Sequence, residues 1–283
     1  MLDLRGKTAL LTGASRGLGV HMAHALADRG MNLVLAARSA GPLEEVRAAL
    51  EAKGVKAIAV PTDVGDRVAL EALVAAARQA FGGVDLLVNN AGVENMLDYA
   101  ITPLSEIEST IHVNLTSPML LARMCMPAMI ERGWGHIVNV ASVAGVSGTP
   151  YGVTYSASKH GLVGFNRALR LTIEGEGYPI GATALCPGFV LEAGMYEAMR
   201  TGANIEMPAV LGTSRPADVI KGMMDGIDRN LPEVVVNSRP VRIWVALTTM
   251  FPSLSSALAR STGSIGTLKQ LADRRRRELA AGS

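Results

Sequence analysis

The feature that most constrains this chain is an alternation. Short, nearly continuous apolar runs at 8–11, 33–37, 57–60, 86–88, 137–140, 182–185 and 234–236 are separated by stretches with helical spacing. From Leu70 onward, Leu70, Leu73, Val74, Ala77 and Phe81 recur on one helical face, with Asp66 placed as an N-cap and Gly82-Gly83 as a stop. Pro42 stands in the first turn of another helix, which ends before Gly54. Strands that are apolar along their whole length must be buried on both faces, which a parallel sheet covered by helices on either side provides. The expected fold is therefore α/β, one doubly wound parallel sheet with helices on both faces, and no internal repeat or flexible linker interrupts it.

Composition removes several function classes. Hydrophobic residues make up 49% of the 283 residues and charged residues 18%, so the chain can bury a large core and is not a disordered or low-complexity protein. Aromatic residues are only 4%, too few for base-stacking platforms. Cys125 and Cys186 are far apart in sequence with no second pair to complete a metal site, so they read as buried thiols in a reducing compartment. His21 and His24 lie three apart on the first helix, yet no acid or thiol joins them at metal spacing, and we expect no metal. Asp3, Arg5 and Lys7 break up the N-terminus, and Arg242 and Pro252 break up the most apolar late stretch, so neither a signal peptide nor a membrane span is expected, and a cytoplasmic protein is. Charge is uneven: residues 237–283 hold eight basic and two acidic side chains, whereas the rest of the chain is mildly acidic.

The first apolar run leads into Thr12-Gly13-Ala14-Ser15-Arg16-Gly17-Leu18-Gly19, where a helix begins. Glycines at such a strand-to-helix turn let backbone N–H groups close on a pyrophosphate at the positive end of the helix. The second run ends at Arg38. An acid there would accept hydrogen bonds from a ribose 2′-hydroxyl, whereas an arginine suits a 2′-phosphate. Arg38 with Arg16 supplies two guanidinium groups and favours NADP over NAD.

Tyr155 and Lys159 stand one helical turn apart. A phenol titrates near 10, so proton transfer near neutrality calls for a lowered pKa, and a nearby ammonium supplies that shift. Ser142 closes the fifth apolar run, where its hydroxyl can donate to a carbonyl oxygen that gains negative charge.

Taken in order, Thr12–Gly19, Asn89-Asn90-Ala91-Gly92, Asn114, Ser142, Tyr155 with Lys159, and Pro187-Gly188 resemble the short-chain dehydrogenase/reductases over residues 5 to about 236. The resemblance implies a Rossmann-type sheet, a nicotinamide cofactor and a homodimer or homotetramer. It implies that Tyr155 is the proton donor and acceptor, that Lys159 holds the nicotinamide ribose and lowers the phenol's pKa, that Ser142 orients the substrate oxygen, and that Asn114 holds a water in a proton relay. On the cofactor it places Gly13, Ser15, Arg16, Gly17, Leu18, Gly19 and Arg38, then Asp63 and Val64 at the adenine and Asn90, Ala91 and Gly92 along the adenosine side. Tyr155, Lys159, Pro187, Gly188 and Val190 are placed at the nicotinamide end. One position departs from the pattern: Glu192 stands where the family usually has a threonine that meets the nicotinamide carboxamide.

These readings divide the chain into a catalytic domain, 1–236, and a basic, partly apolar helical extension, 237–283. Residues 189–215 show no clear strand and follow a strand's C-terminal end, so they read as a substrate lid. Within the extension, Val241, Trp244, Val245, Leu247 and Phe251 precede Pro252, and Arg274 to Arg277 follow. Three roles are open to it: packing on the acidic body or a sister subunit, roofing the pocket, or resting on an anionic membrane as a basic amphipathic tail. Nucleic acid is not an expected partner, because the net charge is only +2 and no recognition motif occurs. Glu94 borders the expected substrate site, while His112 and the methionines at 119, 124, 126 and 129 read as structural. The acidic end of the Tyr155 helix and the long extension both argue against a carrier-protein substrate. The expected function is an NADP(H)-dependent carbonyl/alcohol oxidoreductase for an apolar or bulky small molecule. The alternatives are an NAD-dependent alcohol dehydrogenase and a catalytically silent, nucleotide-bound scaffold.

Overall fold

The structure is a computed structural model that describes residues 1–203 and 205–281. Its strands are β1 (Thr8–Thr12), β2 (Asn32–Ala37), β3 (Ala57–Pro61), β4 (Leu86–Asn89), β5 (Gly135–Val140), β6 (Ile180–Pro187), β7 (Phe189–Val190), β8 (Thr213–Ser214) and β9 (Glu233–Val236). Around them lie α1 (Leu18–Asp28), α2 (Ala40–Glu51), α3 (Arg67–Phe81), α4 (Leu104–Ile111), α5 (Ser117–Glu131), α6 (Val153–Glu176), α7 (Gly194–Ala203) and α8 (Pro216–Asp228). The extension forms α9 (Val241–Met250), α10 (Pro252–Ser261) and α11 (Ser264–Ala281).

The seven expected apolar runs all become strands of one sheet, in the order β3-β2-β1-β4-β5-β6-β9, and every neighbouring pair is parallel. Apolar side chains fill both faces. One core gathers Met22 and Leu26 of α1, Leu43 and Leu50 of α2, and Val219 and Met223 of α8. The other gathers Leu70 and Leu73 of α3, Leu121 and Met129 of α5, and Ile173 of α6. The α3 boundaries have the expected chemistry: the Asp66 carboxylate accepts from the Val68 N–H, and Gly82 closes the helix in the left-handed conformation.

Because the chain runs outward from β1 through β2 to β3 and then returns to β4 beside β1, the carboxyl ends of β1 and β4 diverge and leave a crevice. That crevice is stitched at its base. Thr12 Oγ1 accepts from the Asn90 and Ala91 N–H groups, both at 3.0 Å, and Asn90 Nδ2 donates back to the Thr12 carbonyl at 3.0 Å.

Residues 189–215 do contain strands, contrary to the sequence expectation. β7 and β8 form a parallel ladder of two residues each that ties the two ends of the segment together, with α7 between them. Two-residue strands flanked by glycines carry no readable alternation, which is why the pattern missed them. The extension does not stand off as a free tail. Leu268 and Leu271 of α11 pack with Tyr196 and Met207 of the lid and with Met96. The arginine run turns inward to the acidic body: Arg275 pairs with Glu106 at 3.3 Å and Arg276 with Asp98 at 3.0 Å. Among the described residues no helix is long and apolar enough to cross a membrane. The side chain of Trp244 lies outside the described residues.

A buried amide chain crosses the sheet beneath the crevice. Asn89 Nδ2 donates to Asn139 Oδ1 (2.9 Å), Asn139 Nδ2 to Asn166 Oδ1 (3.1 Å), and Asn166 Nδ2 to the Pro232 carbonyl (3.0 Å). Truncating the middle member strands a buried donor on one side and an acceptor on the other. Asn139→Ala should therefore lower the unfolding free energy by about 2–4 kcal/mol, read as a fall in the denaturant midpoint at unchanged slope.

Candidate active site

The crevice opens into one cavity of about 1400 Å³, larger than a single small-molecule pocket and long enough for a dinucleotide with a second molecule beside it. All the residues expected on the cofactor line it, from the glycine loop and Arg38 at one end to Pro187, Gly188 and Val190 at the other. The loop suits a pyrophosphate for two reasons. Gly17 is the N-cap of α1 with a φ of 58°, and no side chain caps that helix, so its first N–H groups face the crevice. At Gly19 an added Cβ would sit 2.0 Å from the Gly13 carbonyl oxygen, so only glycine allows the helix to start so close to β1. The residues present therefore fit a nicotinamide dinucleotide.

At the far end, β5 delivers Ser142 just past its carboxyl terminus, and α6 delivers Tyr155 and Lys159 to the same wall. Both α6 side chains are buried against the body. Lys159 Nζ donates to the Val140 carbonyl at 2.8 Å and lies 5.7 Å from the centroid of the Tyr155 ring. Burial brings the lysine down to about 8, with Cys186 and Glu94 opposing. The phenol is pushed above its ordinary range, first by burial and then by the Glu94 carboxylate, while a hydrogen bond with Ser142 pulls it back. The expected lowering of the phenol by Lys159 is absent from this balance. The ammonium is held by the Val140 carbonyl, and the net displacement of the phenol is upward, with burial its first cause.

Asn114 lies behind the cavity wall, where its Oδ1 and Lys159 Nζ both flank Gly92. It is fully buried and does not line the cavity; its amide accepts from the Val93 N–H at 2.9 Å, donates to the Val93 carbonyl at 2.8 Å and donates to Ser158 at 3.1 Å. Its side chain thus fixes the loop after β4. It sits in a π-helical turn, His112–Thr116, between α4 and α5, the kind of irregularity that recurs beside functional sites. The same turn leaves His112 Nε2 buried without a partner.

Glu94 matters more than its sequence signal suggested. It lines the cavity, and burial raises its carboxyl to about 7, with Lys159 opposing that rise. Only its place two residues after Gly92 gave any hint of this. Glu192, the departure from the family pattern, points elsewhere: its side chain is exposed, 3.8 Å from Arg215, and its backbone is left-handed with a φ of 66°. It is not part of the cavity wall, whereas Tyr196, Met207 and Leu268, which no motif marked, are. Among the described residues no cluster of His, Cys, Asp and Glu gathers as a metal site, and both cysteines are buried.

The family model for the short chain dehydrogenases matches residues 7–204. The chain belongs to this family. It is similar to the ketoacyl reductase HetN of Nostoc sp., 38% identical over 97% of this chain and 96% of the relative. It is similar to human 17-beta-hydroxysteroid dehydrogenase 13, at 33% identity over 90% and 83% of the two chains. A crystal structure of a short-chain dehydrogenase/reductase from Burkholderia phymatum in complex with NAD superposes with a TM-score of 0.78, at 30% identity over 90% of this chain and 96% of that one. As a member of this family, the chain is an oxidoreductase of the CH–OH/C=O class whose fold binds a nicotinamide dinucleotide.

The charge of Glu94 holds the Tyr155 phenol up, so removing it should lower that pKa. With Tyr155 as the expected base of alcohol oxidation, activity rises as the phenolate forms, and in Glu94→Gln that rising limb of the oxidation pH profile should move to lower pH. An unmoved limb, with cofactor affinity intact, would contradict this account.

Proposed function

We propose that the protein is an NADP(H)-dependent oxidoreductase that interconverts a ketone or aldehyde with an apolar or bulky body and its alcohol. The observation that carries this reading is the single cavity that has Ser142, Tyr155 and Lys159 at one end and Arg16 and Arg38, with no acid after β2, at the other. The bound nicotinamide supplies or takes the hydride. The chain's own residues do the rest. Ser142 donates to the carbonyl oxygen and holds it beside the phenol, and Tyr155, protonated across neutral pH, delivers a proton to that oxygen as it gains charge. In the oxidative direction Tyr155 takes the alcohol proton, with Lys159 buried beside it. Asn114 keeps the loop that carries Glu94 in register with this pair.

Met207, Leu211, Val245, Leu258 and Leu268 give the substrate end an apolar wall, which supports an apolar substrate. The roof they form draws on both the lid and the extension. A carrier-borne acyl group stays open as a substrate: the relative named a ketoacyl reductase matches through the extension as well, so the length of the tail does not exclude one. An NAD-dependent enzyme is the second reading, because the similar solved structure was determined with NAD. A homodimer or homotetramer remains part of the proposal on the family resemblance.

Two variants test the proposal. Tyr155→Phe should reduce NADPH-linked turnover of a graded ketone and aldehyde panel by about 10²-fold or more while leaving NADPH binding intact; retained turnover would sink the catalytic assignment. Arg38→Asp should weaken NADPH binding and improve NADH binding, and an unchanged NADPH affinity would favour the NAD reading.

A further inference from the structure

From 234 to 272 the chain contains no Asp or Glu, but it does contain Arg239, Arg242, Arg260 and Lys269. This acid-free stretch includes α9, α10 and the start of α11. On α9 the residues fall into two faces. Val241 and Val245, one turn apart, line the active-site cavity. Ile243, Leu247 and Met250 lie on the opposite face and are exposed, Ile243 at 63% and Met250 at 71%. Phe251 (54%) and Leu254 (45%) continue that apolar surface across the turn into α10, while Leu258 and Ala259 of α10 close on the cavity. Five large apolar side chains exposed together on one helix face and the turn after it mark an interaction surface rather than scattered exposure.

The occupant follows from charge. The arginines at 274–276 are not available to it, since they hydrogen-bond to Glu278, Gly202, Glu106 and Asp98 of the protein itself. Arg242 is held only loosely, 4.0 Å from Glu233, and Arg260 and Lys269 have no ion pair among the described residues. A second copy would pair this face with itself in a two-fold interface, bringing Arg242, Arg260 and Lys269 against their own image. An anionic lipid surface instead offers both the apolar depth and the opposite charge.

We propose that α9 and α10 form a membrane-surface element, with Ile243, Leu247, Met250, Phe251 and Leu254 seated in the interface of an anionic bilayer and Arg242, Arg260 and Lys269 at its headgroups. The sequence alone left the membrane as one role for the whole basic tail. That role thereby moves from the arginine run to the apolar face before it, on the helix whose other face, at Val241 and Val245, lines the cavity. The membrane contact does not depend on the reductase reading.

Flotation of the purified full-length protein with vesicles tests it, using phosphatidylcholine alone and phosphatidylcholine mixed with phosphatidylglycerol. The expected result is flotation with the anionic vesicles, weakened by salt, and little with phosphatidylcholine alone. The double variant Met250→Asp/Phe251→Asp, whose two positions lie outside the cavity wall, should reduce the bound fraction roughly tenfold or more. It should keep the parent's NADPH affinity and melting temperature, which separates loss of the surface from loss of the fold. Absence of flotation overturns the proposal, as does equal flotation of parent and variant. A parent oligomer that light scattering finds broken into monomers by the same substitutions also overturns it and assigns the face to a second copy. None of these readouts uses turnover, so they stand whatever the substrate assay returns.

Discussion

The active site depends on how two diverging parallel strands are held at their ends. A parallel sheet that changes winding direction between β1 and β4 opens a crevice there by geometry, yet an open crevice with free backbone groups would be costly. Thr12 and Asn90 meet that cost by hydrogen-bonding across the gap, side chain to backbone in both directions. The Asn89–Asn139–Asn166 chain braces the layer beneath. With these in place the glycine loop can sit close to β1, the first turn of α1 can keep its N–H groups free, and the loop after Asn90 can be clamped from behind by Asn114. Such a rigid base allows mobile chemistry above it.

The electrostatics of the site follow from burial more than from paired charges. Tyr155, Lys159 and Glu94 all lie in the same poorly solvated region, so each is displaced toward its neutral form. Glu94 and Lys159 counter each other's displacement, whereas the carboxylate adds to that of the phenol. The phenol in this setting stays protonated across neutral pH and gives up its proton less readily than a free tyrosine, so the charge that would lower its pKa has to come from what binds beside it.

The lid and the extension show how a generic fold acquires a particular pocket. Neither has a core of its own. α7 is tied down by a ladder of two residues per strand, by the Phe189–Tyr196 ring contact at 5.0 Å and by the Met207 N–H donating to the Tyr196 hydroxyl at 3.1 Å. α11 covers the same cluster with Leu268 and Leu271 and is held from the other side by Arg275 and Arg276. These contacts are fewer than those in the sheet, and elements of this kind open at lower free energy than a core does.

Much of this was legible in the residues. Seven apolar runs became seven parallel strands because a strand buried on both faces must be apolar throughout, and that signal is local. The glycine loop and the position of Arg38 were legible for the same reason: a tight turn and a residue at a strand's end are local matters. Helical spacing put Tyr155 and Lys159 on one face of a helix, and only the family resemblance gave the pair a role. What tertiary structure alone decided depends on contacts between residues distant in sequence. The side chain of Asn114 is used up by Val93 and Ser158, and Glu192 turns away from the cavity toward Arg215. Glu94 is carried into the neighbourhood of Tyr155, and Arg275 and Arg276 of the arginine run pair with Glu106 and Asp98, while Ile243, Leu247, Met250, Phe251 and Leu254 stay exposed. Spacing reports which face of its own element a side chain occupies. Burial, charge balance and free surface are properties of what is packed against that face, and those neighbours come from elsewhere in the chain.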